Sequence, residues 1–425
     1  MHLIRTPIFK NIAGSVIFKL LTSVVSFIVV PLILSVLGKS DYAVWATITS
    51  LLAWVSLFDF GVGYSLKNKV SEYLALNDRE NLNKTIAATL QFLSLSSIVL
   101  LVCFFGAFLF IDIFKEHSTL MIILYLPFIL SFPSISGGFI LQGQAKFNLI
   151  NLINLIQPFL WLIFVFCCYK GFLKANLYVF SIAYSLILLF LKLLTIFIAL
   201  KKVRFPLSVL RNYKLILELR SVVVSGIKFF VLQICNLVLF SIGNLLAYTH
   251  LDLSQVAQYD VVNKVFLMGM TVVNMVVAVF WTEISKAKAL ADTKKLKKIH
   301  RSMFLFSLLF SIACLCMIYV CPYFIPFWTK GVITISMVQV LPFVLLVSVQ
   351  TFGYAGAVFL NAFERLKSQI ILAVLSATLM IPVAKFFFGM DLGIDTMPLS
   401  SAVLTFPAVI YYYIESKKCI ERISL

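Results

Sequence analysis

Apolar residues run in long blocks along this chain, and polar residues gather in the short gaps between them. Twelve blocks stand out, at roughly 12–37, 42–66, 86–111, 118–141, 149–169, 175–200, 221–249, 255–282, 302–325, 333–360, 370–388 and 396–414. Each has about 20 residues or more, the length a helix needs to cross a hydrocarbon core about 30 Å thick. Barrel strands would be about ten residues long and would alternate strictly, and no such alternation is present. The pattern predicts an all-α integral membrane protein with about twelve transmembrane helices.

The pattern also returns on itself. A first hairpin rises to Leu37, turns at Gly38-Lys39-Ser40-Asp41 and descends from Tyr42. It closes on Leu57-Phe58-Asp59-Phe60-Gly61-Val62-Gly63 ahead of the charged segment Lys67–Lys84. About 214 residues later Leu251-Asp252-Leu253-Ser254-Gln255 takes the place of the first turn. At that offset Ser40, Ala43 and Asp78 fall on Ser254, Ala257 and Asp292, and Trp45 falls on Tyr259. Identity is sparse, so the register of hydropathy and loops carries the expectation of one six-helix unit used twice. The longest gap, Lys201–Arg220, follows the sixth block and marks the seam between an N-terminal lobe, 1–205, and a C-terminal lobe, 206–425.

Composition excludes a soluble enzyme. The chain is 62% hydrophobic and 12% charged, with a mean hydropathy of +1.04; soluble domains run near 45–50% apolar and about 25% charged. Of the 35 lysines and arginines, 25 lie in gaps on the side of the N-terminus and five in the opposite gaps. By the positive-inside rule this places both termini in the cytoplasm. The net charge of +18 largely follows from that asymmetry. On the same ground Lys294-Lys295-Leu296-Lys297-Lys298 reads as a topogenic loop against anionic lipid headgroups, not as a nucleic-acid patch. Arg5 and Lys10 precede an apolar run too long for a secretory signal, so the first block is expected to stay as a span. Seven of the eight cysteines fall inside apolar blocks and read as buried, reduced thiols. There is no P-loop and no His–acid cluster, so neither enzymatic activity nor a cofactor is expected, beyond coupling to a proton or sodium ion.

Charged groups inside the blocks are the sharpest chemical signal, since each costs about 2.5–3.5 kcal/mol at mid-membrane. Lys19, Lys192 and Lys228 each fall about 12 Å in from the cytoplasmic ends of the first, sixth and seventh blocks, and Lys264 lies deeper in the eighth. Facing a common cleft, such lysines would make a cationic cavity for a phosphate or pyrophosphate. Structural readings stand beside this one. Lysine stems snorkel, Asp260 and Lys264 are spaced i,i+4 with the acid first, and Lys19 and Asp59 share a depth at which they could neutralise each other. Asp59 and Asp260 are also the candidates for ion coupling. Amides follow the charges. Asn148, Asn151, Asn154 and Gln157 recur every third residue on the fifth block and wind around it, and Gln233, Asn236, Ser241 and Asn244 line the seventh. Membrane amides often bond neighbouring helices; Asn148, Asn151, Asn154, Gln233 and Asn236 are the candidates for contact with sugar hydroxyls. Pro127, Pro133, Gly137 and Gly138 on the fourth block, with Pro342 and Gly353 on the tenth, suggest a pair of bendable helices.

With these features the chain resembles the Wzx-type polysaccharide flippases of the multidrug/oligosaccharidyl-lipid/polysaccharide (MOP) exporter superfamily. Locally the resemblance rests on Asn11-Ile12-Ala13-Gly14-Ser15, on Val36 through Trp45, on Leu57 through Gly63 and on Ser71-Glu72-Tyr73-Leu74-Ala75-Leu76-Asn77-Asp78. It implies a MATE-like, V-shaped architecture in the bacterial cytoplasmic (inner) membrane. The implied activity is translocation of an undecaprenyl-pyrophosphate-linked oligosaccharide, an O-antigen or capsule repeat unit, from the cytoplasmic to the periplasmic leaflet by alternating access. Lys19, Lys192, Lys228 and Lys264 would attract the pyrophosphate, and a polysaccharide polymerase and a chain-length regulator are the implied partners beside membrane lipid. An ion-coupled multidrug exporter of the same superfamily is the nearest alternative. It would bind organic cations and would need buried acids in excess of lysines, whereas five lysines inside the blocks stand against Asp59 and Asp260.

Overall fold

The computed structural model describes residues 7–144, 146–211, 220–289, 291–363 and 365–422, and among them the regular elements are all helical. In chain order they are α1 (Pro7–Ser50), α2 (Leu52–Val55), α3 (Val62–Ala75), α4 (Arg79–Phe110), α5 (Asp112–Glu116), α6 (Ser118–Leu130), α7 (Ser136–Gly143), α8 (Phe147–Tyr169) and α9 (Leu177–Val203). They continue as α10 (Arg220–Phe240), α11 (Gly243–His250), α12 (Leu253–Ala289), α13 (Thr293–Trp328), α14 (Met337–Ala362), α15 (Leu366–Phe388) and α16 (Thr396–Glu421). Ten helices among the described residues are long and apolar enough to cross a membrane, or eleven with a bent pair taken as one span. One of them, Ile17–Val55, has 39 residues, about 58 Å at 1.5 Å per residue, the length of two crossings. It breaks at Gly38, whose φ of 76° and ψ of 176° suit only glycine. The chain is thus a multi-pass, all-α membrane protein.

By contacts the chain divides into two compact units, one of Met1–Leu37 with Leu52–Phe230 and the other of Gly38–Leu51 with Val231–Leu425. In the first unit, Leu66, Val70, Leu82, Ile86, Ile140 and Ile153 anchor a core shared by α3, α4, α7, α8 and α9. In the second, Ile284, Leu296, Met303, Val358 and Phe359 join α12, α13 and α14. Helix α14 is the hub of that unit: 61% of its apolar window is buried, against 17% for α13 and for the span of α15.

The internal repeat survives at the level of single hydrogen bonds. Asn77 (φ 54°) and Ala291 (φ 50°) both adopt the left-handed conformation. The next residues, Asp78 and Asp292, donate their N–H to the carbonyls of Tyr73 and Ala287 at 2.9 Å each. Their side chains then cap α4 and α13, accepting from the N–H of Asn81 at 3.0 Å and of Lys295 at 2.9 Å. All three pairs, 77/291, 78/292 and 73/287, are offset by the 214 residues read from the sequence. A helix stop followed by an aspartate N-cap is a local device, which is why it persists where residue identity does not.

Each unit also has a close helix contact at a glycine. A Cβ on Gly137 would stand 2.6 Å from the Cα of Ile196, and one on Gly356 would stand 2.7 Å from the Cβ of Tyr412. Only glycine lets α7 approach α9, and α14 approach α16, so nearly. The fourth span does bend, by 59°, between Ser118–Leu130 and Phe132–Gly143. Pro133 lacks the N–H that would bond the Ile129 carbonyl, and the buried Ser97 hydroxyl donates to that carbonyl at 2.6 Å instead. The tenth span differs from expectation. Pro342 lies early in α14 and the helix runs on unbroken to Ala362, because one bond lost near a helix end leaves the ladder beyond it intact.

Candidate functional site

The first unit contains a cavity of about 220 Å³ bounded by the middle of α8, by α9 and by the bend between α6 and α7. Lys192 on α9 lines it, with Asn154 and Gln157 from α8 and the hydroxyl-bearing Ser134 and Thr195. Its floor is apolar, from Ile150, Ile153, Leu188 and Leu191. The lysine is half-buried, and its Nζ stands 3.3 Å from the ring centroid of Phe128. That cation–π contact is worth up to about 2 kcal/mol where water is excluded. Among the described residues no acid pairs with Lys192. Gln157 donates to the Tyr184 hydroxyl at 3.2 Å, and Tyr184 packs on Trp161 at 5.0 Å between centroids. Pro158, buried in α8, frees the Asn154 carbonyl from helical bonding, so this stretch offers polar backbone as well as amides.

The amide ribbon of α8 divides as its winding requires. Asn154 and Gln157 reach the cavity, whereas Asn151 and Asn148, about one and two turns earlier, are half-buried and do not line it. Lys19 is exposed on α1, and no ion pair joins it to Asp59. Asp59 is 6% exposed and accepts the Gly61 N–H at 2.9 Å. Together with Phe60 (φ 50°) and Gly61 (φ 73°) it builds the sharp entry into α3. Lys228 falls on α10, and its side chain lies outside the described ones.

The second unit handles its buried charge differently. Asp260 on α12 is 3% exposed. It accepts the Lys264 ammonium at 2.6 Å, the Tyr42 hydroxyl at 2.6 Å and the Asn244 amide at 2.9 Å. Lys264 in turn donates to the Tyr42 oxygen at 2.9 Å. The i,i+4 spacing therefore closes as an ion pair with two neutral donors around it, and Lys264 presents no uncompensated charge. Gln233 is half-buried and Asn236 exposed on α10. Neither lines the small cavity of about 30 Å³ in this unit, whose polar edge is Asn263, Gln350, Ser401 and Tyr259.

Sequence reasoning missed Phe128, Ser134 and Thr195 at the first cavity and Tyr42 in the buried network. A phenylalanine in an apolar block carries no signal that it will meet a cation. Tyr42 reaches a carboxylate 218 residues away, and no local pattern announces such a contact.

Known proteins share both the fold and part of the sequence. No family model matches the chain. A Salmonella typhimurium protein is 25% identical over 343 residues, 75% of each chain, and a Salmonella typhi protein is 37% identical over 101 residues, 24% of this chain and 23% of its own. Both carry the name "Putative O-antigen transporter". A Yersinia pseudotuberculosis protein that carries the name "Putative O-antigen export protein" is 34% identical over 87 residues, 20% of each chain. Among solved structures, the inward-facing form of a multidrug resistance MATE family transporter of the MOP superfamily matches 96% of this chain and 95% of its own. Its TM-score is 0.74 at 14% identity, a likeness of fold. The chain thus has a MATE-like fold over its whole length and is similar in sequence to proteins that carry the name "Putative O-antigen transporter".

Proposed function

We propose that the protein moves undecaprenyl-pyrophosphate-linked oligosaccharide repeat units from the cytoplasmic to the periplasmic leaflet of the bacterial inner membrane, by alternating access and with both termini in the cytoplasm. The observation that carries this reading is the contrast between the two half-buried lysines. Lys264 is neutralised by Asp260 at 2.6 Å, whereas Lys192 faces a polar-rimmed cavity with only an aromatic ring against it. A cation held in low dielectric without a carboxylate attracts a compact anion. At about 220 Å³ the cavity is smaller than the about 300–1,000 Å³ that encloses a drug-sized ligand. It therefore suits a phosphate-bearing head group with its first hydrogen-bonding neighbours, not a whole oligosaccharide. Asn154 is the amide placed to meet a sugar hydroxyl there. Asp59 and Asp260 are committed to a turn and to an ion pair, so proton or sodium coupling through either would first have to break those bonds.

Deletion in the source cell, followed by extraction of lipid-linked oligosaccharides and assay of surface polysaccharide, tests the reading. Lipid-linked repeat units should accumulate and surface polymer should be lost. Complementation with wild type restores both, Lys192→Arg restores them in large part, and Lys192→Ala at equal membrane level leaves transport at least about tenfold down, the loss of about 1.4 kcal/mol of charge-assisted binding. Normal surface polymer without accumulation would refute the substrate assignment, and organic-cation efflux would be measured next.

A further inference from the structure

The exposed face of α13 carries its own depth gauge. Leu305, Leu308, Ile312, Tyr319, Tyr323 and Phe327 are all exposed, and at 100° per residue they share one side of the helix. Leu296, Ile299, Met303, Ser307 and Cys314 fill the opposite, buried side. From Leu305 to Phe327 the apolar face measures about 33 Å at 1.5 Å per residue, which matches a hydrocarbon core of about 30 Å. The same exposed face continues toward the start of the helix with no apolar residue on it, only Arg301, Lys298, Lys297 and Lys294. Arg301 lies about 6 Å beyond Leu305, Lys298 about 10 Å and Lys297 about 12 Å. Lysine stems reach several ångströms back along the helix, so all three cationic heads come to the headgroup layer on the lipid-facing side.

Helix stability does not account for this cluster. The first turn of α13 holds no acid, and the positive end of a helix dipole disfavours cations. Lys294 with Lys298, and Lys297 with Arg301, are like charges spaced i,i+4, an arrangement that weakens a helix. Among the described residues none of the four has an acidic partner, whereas neighbouring Lys295 pairs with Glu283 at 2.7 Å. Orientation in the membrane requires cations in this gap, but it does not require them on the lipid-facing stripe.

We infer that Lys297, Lys298 and Arg301 form a site for the headgroup of an anionic phospholipid, whose acyl chains lie along the Leu305–Ile312 face of α13. Charge complementarity selects the occupant, because the stripe below the cations is shaped only for lipid tails. The site belongs to the second unit and does not use the Lys192 cavity, so its test is independent of the transport substrate.

The full-length protein is reconstituted in bilayers of phosphatidylcholine with phosphatidylglycerol, and immobilisation of spin-labelled phosphatidylglycerol is compared with that of spin-labelled phosphatidylcholine. Wild type should favour the anionic lipid about fivefold, the effect of about one surface cation against anionic lipid. Combining Lys297→Gln, Lys298→Gln and Arg301→Gln should bring the ratio to about one. Lys297→Arg with Lys298→Arg should keep it, which separates charge from fold. An unchanged ratio in the neutral triple variant, or no preference in wild type, overturns the site. Loss of the preference in millimolar inorganic phosphate would assign these cations to a free anion and overturn the lipid assignment.

Discussion

Replacing Lys264 with alanine leaves a carboxylate buried without its counter-charge. Asp260 is 3% exposed, and its oxygens accept from Lys264 at 2.6 Å, from Tyr42 at 2.6 Å and from Asn244 at 2.9 Å. With the ammonium gone, two neutral donors remain, and breaking a buried pair in this way costs about 3–5 kcal/mol. The Lys264 side chain is 36% exposed, however, so water can partly take its place; the expected cost is about 2 kcal/mol. Combining Lys264→Ala with Asp260→Asn removes both charges and leaves an amide that still meets Tyr42 and Asn244. That double variant should cost about 1–2 kcal/mol less than the two single variants added together. Unfolding in mixed detergent–SDS micelles, followed by tryptophan fluorescence, measures each corner of the cycle. Costs that add to within about 0.5 kcal/mol would refute the claim that Lys264 is committed to Asp260. Lys264 would then be a free cation like Lys192, and the contrast on which the functional reading rests would fail.

The same assay checks the packing claims. Gly137→Ala should cost about 1–3 kcal/mol, because the new Cβ would stand 2.6 Å from the Ile196 backbone. Gly138→Ala, whose Cβ meets only the tip of Ile150 at 3.5 Å, should be tolerated. Ser97→Ala should cost about 0.6–1.7 kcal/mol, the range for hydrogen bonds between membrane helices, by stripping the partner from the Ile129 carbonyl at the α6–α7 bend. Outside the spans, the Asn81 N–H and amide hold the Asp78 carboxyl below the usual carboxylate range. A depressed carboxylate contributes stability above its unfolded value near 3.9 and loses it as pH falls through the folded value. Asp78→Ala should therefore destabilise at neutral pH, and the gap to wild type should narrow in melts taken below about pH 4.

Much of the chain was legible before its structure. The long blocks match helices, and the 214-residue register pairs Asp78 with Asp292, which the structure shows as matching N-caps. Pro133 was read as a bend and is one, whereas Pro342 was read the same way and leaves α14 unbroken. The difference lies in distance from the helix end and in whether a neighbour such as Ser97 is present to satisfy the freed carbonyl. Of the residues singled out for chemistry, Lys192 and Asn154 share a cavity with Gln157. Asn151 and Asn148 lie about one and two turns nearer the start of α8 and do not line that cavity.

Hydropathy, capping and charge asymmetry are properties of short stretches, so the sequence by itself determined that this is a multi-pass helical protein and set Asp78 and Asp292 in matching register. It also determined which few charges lie within the apolar blocks. What surrounds each of those charges was decided by the tertiary structure. The i,i+4 spacing already offers Asp260 to Lys264, but only the folded chain adds a tyrosine 222 residues away to that pair and sets Lys192 on the Phe128 ring. The reason is physical: in low dielectric, the effective charge of a buried group is set by what the neighbouring helix presents within a few ångströms, and an apolar block carries no record of its neighbour.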